Sequence, residues 1–275
     1  MQPVQIISYI LIIVTVFISY RGFNSDKFSQ DYMFRVDKIL IGKQYYRLIS
    51  YGFLHAGGWM HLIFNMFSLL AFGASLEGVL GPLNFLLVYF VSLIGGALFT
   101  LYIHRNHGDY SMAGASGAVC GIIFAAVALF PGIRIFFMPG WLYATLFVLY
   151  TIYGIRTQLG NIGHEAHLGG ALAGMILAVI LKPYAITANY PVILCILIST
   201  SLALFFMMRR PYMPMRRVFS RKENAGYQTM EDRYNADRSG RQQLVNEILE
   251  KVHHKGIGSL TRKEREILER YSKQV

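Results

Sequence analysis

The chain has 275 residues, of which 54% are hydrophobic and only 15% are charged. Because the apolar residues form long runs, the composition excludes an ordinary soluble domain and indicates an integral membrane protein. The net charge of +11 lies mostly after residue 208, where 16 Lys and Arg face 9 Asp and Glu. Basic residues beside a membrane segment are typical of a topology signal or of attraction to anionic lipid, so no nucleic-acid partner is expected.

Seven apolar segments follow one another along the chain, as expected for helices that cross a bilayer core about 30 Å thick. No basic residue precedes the first segment and no small-residue cleavage pattern follows it, so we expect a retained helix rather than a signal peptide. The sequence therefore predicts an all-α, polytopic membrane helix bundle with six core helices and a seventh. The segments are 4–20, 60–76, 83–103, 115–130, 138–154, 165–181 and 190–208.

The connection between the first two segments runs for nearly forty residues and is rich in Tyr, Phe and Arg. Loops of this length in compact proteins are usually structured or functional. Aromatic rings and long cations favour the membrane interface, so we expect this first loop to lie partly in it.

Three parts are expected in the chain: a six-helix core over 1–183, a seventh membrane helix over 184–208 and a basic tail over 209–275. Thr261 and Glu264 fit a capping box at the start of the second of two short tail helices. The tail has too few apolar residues to bury a core alone, so a tail-mediated partner or self-association is expected. The apolar face of its first helix consists of Leu244, Val245, Ile248, Leu249 and Val252.

Polar side chains inside the apolar segments are the first candidates for function, because hydrocarbon tolerates them only when they are paired or line a wet cavity. His61 and Asn65 are four residues apart and share one helical face, so two hydrogen-bond donors can point at one place. Taken alone, the pair is equally typical of an interhelical hydrogen bond.

The stretch "AGASGAVCG" (113–121) begins the fourth segment and contains Ser116 among small residues. Gly117 and Gly121 form a small-xxx-small pattern that lets another backbone approach closely. By itself this pattern is typical of helix packing, but it is also the setting that a buried serine nucleophile needs.

His167 starts the sixth segment in "HEAHLGGALAG" and is followed by Gly170 and Gly174 at the same spacing of four. These glycines would hold His167 against a neighbouring helix, where a serine and a histidine together supply a nucleophile and its general base. Glu165 lies two residues from His167 and points around the helix, so we expect a Ser–His dyad without a carboxylate. The Ser116 amide, His61 and Asn65 are the expected oxyanion donors.

Neither a metal nor another cofactor is expected. His164 and His167 are three residues apart in H-E-x-H, whereas the zinc-protease helix requires H-E-x-x-H. Cys120 and Cys195 both fall inside apolar segments, so neither a disulfide framework nor a zinc cluster is indicated.

Four motifs together resemble the rhomboid family of intramembrane serine proteases. "YRLISYGFLHAGGWMHLIFNM" (46–66) resembles the family's first loop and second helix, with Arg47, His61 and Asn65 in matching places. "LEGVLG" (76–81) resembles its glutamate segment, here Glu77. "GASG" (114–117), which begins at Gly114, resembles the nucleophile motif, and "AHLGGALAG" (166–174) resembles the histidine motif of the sixth helix.

The resemblance implies an endopeptidase that cuts membrane-spanning segments of other proteins with Ser116 and His167, in an active site that opens away from the cytoplasm. It implies structural roles for Arg47 and Glu77 around the first loop, and the cell membrane is the expected location. Many family members have a tyrosine four residues after the serine that supports the histidine, whereas this chain has Cys120.

The sequence allows a second function and gives two opposing signals for the side of the tail. A family member that binds or escorts membrane clients without cutting them is the alternative function, while transport is a weaker third hypothesis because paired intramembrane ions are scarce. If the core begins on the inside of the membrane, seven spans would put the tail outside. The basic cluster of the tail favours the inside instead.

Overall fold

The computed structural model describes residues 6–130, 132–135, 137–157 and 163–209, together with Ile248, Thr261 and Glu264. The chain divides into two compact units, Met1–Glu223 and Asn224–Val275. In the first unit the helices are α1 (Ile6–Phe23), α2 (Asp26–Tyr32), α3 (Val36–Leu40), α4 (Arg47–Ser50), α5 (Gly58–Leu80), α6 (Pro82–Ile103), α7 (Ser116–Leu129), α8 (Gly140–Thr157), α9 (His164–Leu181) and α10 (Tyr184–Arg209). The two-residue strands are β1 (Phe34–Arg35), β2 (Ser111–Met112), β3 (Arg134–Ile135) and β4 (Met138–Pro139).

The predicted all-α membrane bundle is confirmed. Within the described residues, α1, α5, α6, α9 and α10 are long and apolar enough to cross a membrane, and α7 and α8 are shorter apolar helices. These seven helices coincide with the seven apolar segments of the sequence.

The seventh helix, α10, starts earlier than its apolar segment suggests. Asn189 interrupts it with non-helical backbone angles, two residues before Pro191. The buried Asn189 amide Nδ2 donates to the carbonyl oxygens of Val127 at 2.8 Å and Ala128 at 3.1 Å. Since the last carbonyls of a helix have no partner within it, Asn189 caps α7 and ties the seventh helix to the bundle.

Helix α7 lies at the centre of the bundle, because every residue from Gly117 to Leu129 is buried. Its 14 residues span only about 21 Å, less than the hydrocarbon thickness of about 30 Å. Its end near Asn189 lies close to the short turn between α9 and α10.

Two pairs of glycines bring α7 and α9 together, as the small-xxx-small patterns predict. A Cβ at Gly170 would overlap the carbonyl oxygen of Gly117, and a Cβ at Gly174 would lie 2.6 Å from the Cα of Gly121. The close approach of these two helices is thus possible only without side chains at the crossing.

The long first loop is structured, as expected. It contains α2, α3, α4 and a short 3₁₀ turn at Tyr51–Phe53, and its strand β1 pairs antiparallel with β2. The Gly114 N–H also donates to the carbonyl oxygen of Tyr51 at 3.0 Å. The loop therefore holds the segment that leads into Ser116.

Arg47 holds the first loop together from inside. Its guanidinium donates to the carbonyl oxygens of Gln30 and Met33 at 2.8 and 2.7 Å and to the Gln44 side chain at 2.7 Å. These contacts link α2 to the segment that leads into α4.

Glu77 lies elsewhere than its expected place at the first loop. Its carboxylate accepts hydrogen bonds from the N–H groups of Ile7 and Ser8 and from Ser8 Oγ, at 2.7 to 2.9 Å. These N–H groups lie at the start of α1, which is the end opposite the first loop. The unpaired amides and the helix dipole at a helix start favour an anionic acceptor. Glu77 thus joins α5 to the start of α1, on the far side of the bundle.

In the second unit, the predicted capping box is confirmed. The Thr261 N–H donates to a Glu264 carboxylate oxygen at 2.6 Å, and the Glu264 N–H donates back to Thr261 Oγ1 at 3.4 Å. Of the predicted apolar tail face, Ile248 is helical and buried, and Leu244, Val245, Leu249 and Val252 lie outside the described residues.

Candidate active site

Three helices begin at the same place, and each carries one of the predicted site residues in its first turn. Ser116 is the first residue of α7, His167 is the fourth of α9 and His61 is the fourth of α5. The unpaired N–H groups and the positive dipole end of each helix therefore point toward this region. Such an arrangement favours negative charge that develops there.

The structure brings Ser116 and His167 together. Nε2 of His167 lies 2.7 Å from Oγ of Ser116, although the two residues are 51 positions apart in the chain. Both residues are only partly buried. This is the distance needed for transfer of the hydroxyl proton to an imidazole.

His61 and Ser116 border the same small space beside Gly114. His61 Cε1 lies 3.0 Å and Ser116 Oγ lies 3.5 Å from the point that a Cβ at Gly114 would occupy. A side chain at this position would fill the space between them, which explains why the residue before Ala115 is glycine.

Asn65 lies one turn below His61 and is largely buried. Its Nδ2 donates one hydrogen bond back to the carbonyl oxygen of His61 at 2.9 Å. An amide nitrogen carries two N–H groups, and this bond uses one of them.

Sequence reasoning did not select His55, yet it contacts the backbone directly before the serine. Ser19 Oγ donates to the carbonyl oxygen of Phe53 at 2.9 Å and lies 2.9 Å from His55 Nδ1. The hydroxyl has one proton, so Nδ1 must carry the ring proton and Nε2 must be the acceptor. Nε2 accepts a long hydrogen bond, 3.5 Å, from the Ala115 N–H. Burial and the nearby His61 lower the pKa of His55 to about 3, which keeps the ring neutral.

Because the His55 ring is neutral in the folded protein, we expect the free energy of unfolding to decrease in mild acid. Its pKa is about 3 in the folded protein and about 6.5 in the unfolded chain. Between these values the unfolded chain binds more protons, so folding becomes less favourable as pH falls below about 6.5. We expect the thermal unfolding midpoint of His55→Gln, which keeps an acceptor for Ala115, to fall less between pH 7.5 and about 4.5 than that of the parent. Equal falls in both proteins would contradict the assignment.

An aromatic ring from another helix lies beside His167, whereas the residue one turn after Ser116 is Cys120. Phe147 of α8 faces the His167 imidazole, with ring centroids 6.3 Å apart and planes tilted by 35°. No sequence signal indicates this contact, because many residues of α8 have rings.

Glu165, which the sequence does not favour as an orienting carboxylate for His167, contacts a different histidine. It pairs instead with His104 at the end of α6, with 3.1 Å between Nε2 and Oε1, and both side chains are buried. The His104 ring stacks on Tyr110 with centroids 3.7 Å apart. These contacts fix the start of α9, which carries His167, against α6.

A multi-pass helical membrane bundle with a serine and a histidine in hydrogen-bond contact is the class that this fold and site define. The Rhomboid domain family matches residues 42–184, more than half of the chain. The chain belongs to the rhomboid family. A second family, Family of unknown function (DUF6576), matches residues 228–274 of the tail.

Relatives from yeast and bacteria carry the same domain. The chain is 33% identical to Rhomboid protein 1, mitochondrial, of Saccharomyces cerevisiae over 159 residues, which are 54% of this chain and 45% of that protein. It is 34% identical to Putative rhomboid protease YdcA of Bacillus subtilis over 139 residues, which are 49% of this chain and 66% of the relative. It is 28% identical to Rhomboid protease GluP of the same organism over 135 residues, 49% of this chain and 26% of the relative. The chain thus matches about half the length of the yeast relative and only part of the others.

Proposed function

We propose that this rhomboid protein is an intramembrane serine endopeptidase that cleaves membrane-spanning or membrane-adjacent segments of other proteins. The observation that carries the proposal is the 2.7 Å contact between Ser116 Oγ and His167 Nε2 at the starts of α7 and α9. Two bacterial relatives are named as rhomboid proteases, which supports the same reaction class.

The dyad performs acyl transfer in two halves. His167 Nε2 takes the proton of Ser116 Oγ while Oγ attacks the peptide carbonyl, and the resulting imidazolium returns this proton to the leaving amine. A water molecule then attacks the acyl-enzyme ester, giving its proton to Nε2, and the carboxylic acid leaves as Oγ regains a proton. In each half the same ring nitrogen acts first as base and then as acid.

The oxyanion of each tetrahedral intermediate is stabilised by groups around Ser116. The Ser116 N–H begins α7 and has no partner within its own helix. We propose that it acts with His61 and with the second N–H of Asn65, and that Gly114 leaves room for the substrate carbonyl. Donors fixed in advance typically contribute about 10²–10³ in rate each.

The proposed substrate is a membrane segment of another protein, because only such a segment can approach laterally through lipid. Its helix must be locally weak, since a regular helix keeps its carbonyls hydrogen-bonded and hidden from attack. The partners in this proposal are thus transmembrane proteins and the surrounding membrane lipid.

The test is cleavage of a single-span substrate by the purified chain in liposomes, combined with labelling by a fluorophosphonate probe. We expect the parent to cut the substrate and to take up the probe on Ser116. Ser116→Ala should do neither while keeping the parent's unfolding midpoint. Cleavage that survives this substitution would overturn the mechanism, and a parent inert toward substrate and probe would favour the client-escort function.

We further propose the division into a core over 1–183, a seventh helix over 184–208 and a tail over 209–275 that binds a partner or self-associates. The cell membrane stays a prediction, and the yeast relative is named as mitochondrial. Imaging a fluorescent fusion tests the location.

A further inference from the structure

The imidazole of His167 contacts one group on each of two other helices, and the ring of His164 on its own helix meets it edge-on with centroids 6.1 Å apart. Ser116 of α7 contacts its Nε2 at 2.7 Å. Phe147, from the middle of α8, faces the ring with centroids 6.3 Å apart, within the range in which aromatic pairs attract one another. One turn after the serine, where α7 could offer its own ring, the residue is Cys120.

Phe147 is itself held in place by other rings. Its ring meets the edge of Phe124 of α7 with centroids 5.5 Å apart, and it stacks with Tyr143, one turn earlier on α8, at 6.1 Å and 23°. A ring fixed in this way can restrict the rotation of a neighbouring imidazole, which a flexible aliphatic side chain does less well.

Helix α8 also contacts the seventh helix, α10. Thr145, two residues before Phe147, lies 3.4 Å from Cys195 of α10 through Oγ1 and Sγ. The position of Phe147 therefore depends on the packing of α8 against α10 as well as on Phe124 of α7.

We propose that Phe147 is a positioning residue for His167, supplying from α8 the aromatic wall that keeps the imidazole in line with Ser116. This inference rests on the proposed protease function. The geometry of the dyad then depends on three helices, α7, α8 and α9, instead of two.

The experiment compares kcat and KM for Phe147→Leu and Phe147→Tyr in the liposome assay. Leucine keeps an apolar side chain but removes the ring, so we expect kcat to fall about tenfold or more with little change in KM, as for a misaligned catalytic group. Tyrosine keeps the ring and should retain parental kcat. Leu149→Ala, on the exposed face of the same helix, is the matched control and should leave both constants unchanged.

A second-site change makes the test sharper. Adding Cys120→Tyr to Phe147→Leu provides a ring from α7 and should restore part of the lost kcat. An unchanged kcat in Phe147→Leu, or a loss that Phe147→Tyr shares, would overturn the proposal.

Thermal unfolding separates this inference from the proposed function. If the two rings interact, the midpoint shift of Phe147→Leu combined with His167→Ala should be smaller than the sum of the single shifts. Additive shifts would overturn the inference even if the parent proved to have no protease activity. Non-additive shifts in a parent without protease activity would support the contact between the two rings. Only the proposed protease function would then be wrong.

Discussion

Alanine at Ser116 or at His167 should lower the cleavage rate by about 10³-fold or more. Alanine at both positions should cause little further loss of rate. The two groups act as one unit across the 2.7 Å contact, because the hydroxyl is not nucleophilic without the base and the base has no proton to take without the hydroxyl. The measurement is single-turnover cleavage of a reconstituted substrate by both single variants and the double variant.

Controls for this prediction lie elsewhere in the bundle. Ser75→Ala removes a hydroxyl from an exposed position on α5 and should leave the rate unchanged. Unfolding midpoints should show that all variants remain folded. Losses that multiply in the double variant would mean that serine and histidine act independently, and would exclude the dyad.

The sequence predicts those features that depend on local pattern. Apolar runs indicate where the seven helices lie, because hydrocarbon requires continuous apolar surface and internally paired backbone. The glycine spacing in α7 and α9 likewise predicts a close crossing, and Gly117 and Gly170 do meet there. These two patterns make Ser116 and His167 candidates, and the resemblance to the rhomboid family is what selects them as a catalytic pair.

The remaining features depend on contacts between distant parts of the chain. The hydrogen bond from Ala115 to His55 spans 60 positions, and the His104–Glu165 pair spans 61. Phe147 is one aromatic residue among many on α8, so only the packing of α8 shows that it faces His167. The family resemblance implied that Glu77 lies near the first loop, and no local pattern shows that its carboxylate instead meets the start of α1, 70 positions earlier.

The interhelical glycines predict the second large effect. Gly170→Ala should lower the unfolding midpoint strongly and reduce cleavage at least about tenfold. The new Cβ would overlap the carbonyl oxygen of Gly117 and lie 2.7 Å from its carbonyl carbon. Because these are backbone atoms, α7 as a whole must move, and Ser116 is the residue directly before Gly117.

Two opposing terms decide the outcome of this substitution. Alanine favours the helix over glycine by about 1 kcal/mol, whereas overpacking at a tight contact costs about 1–3 kcal/mol or more. Gly78→Ala is the matched control, because Gly78 lies within α5 and a Cβ there meets nothing within 4 Å. Only the favourable term applies at that position, so its unfolding midpoint should equal or exceed the parent's. If Gly170→Ala behaved like Gly78→Ala in both unfolding and cleavage, α7 and α9 would have to lie further apart, and the glycine crossing could not be what holds Ser116 against His167.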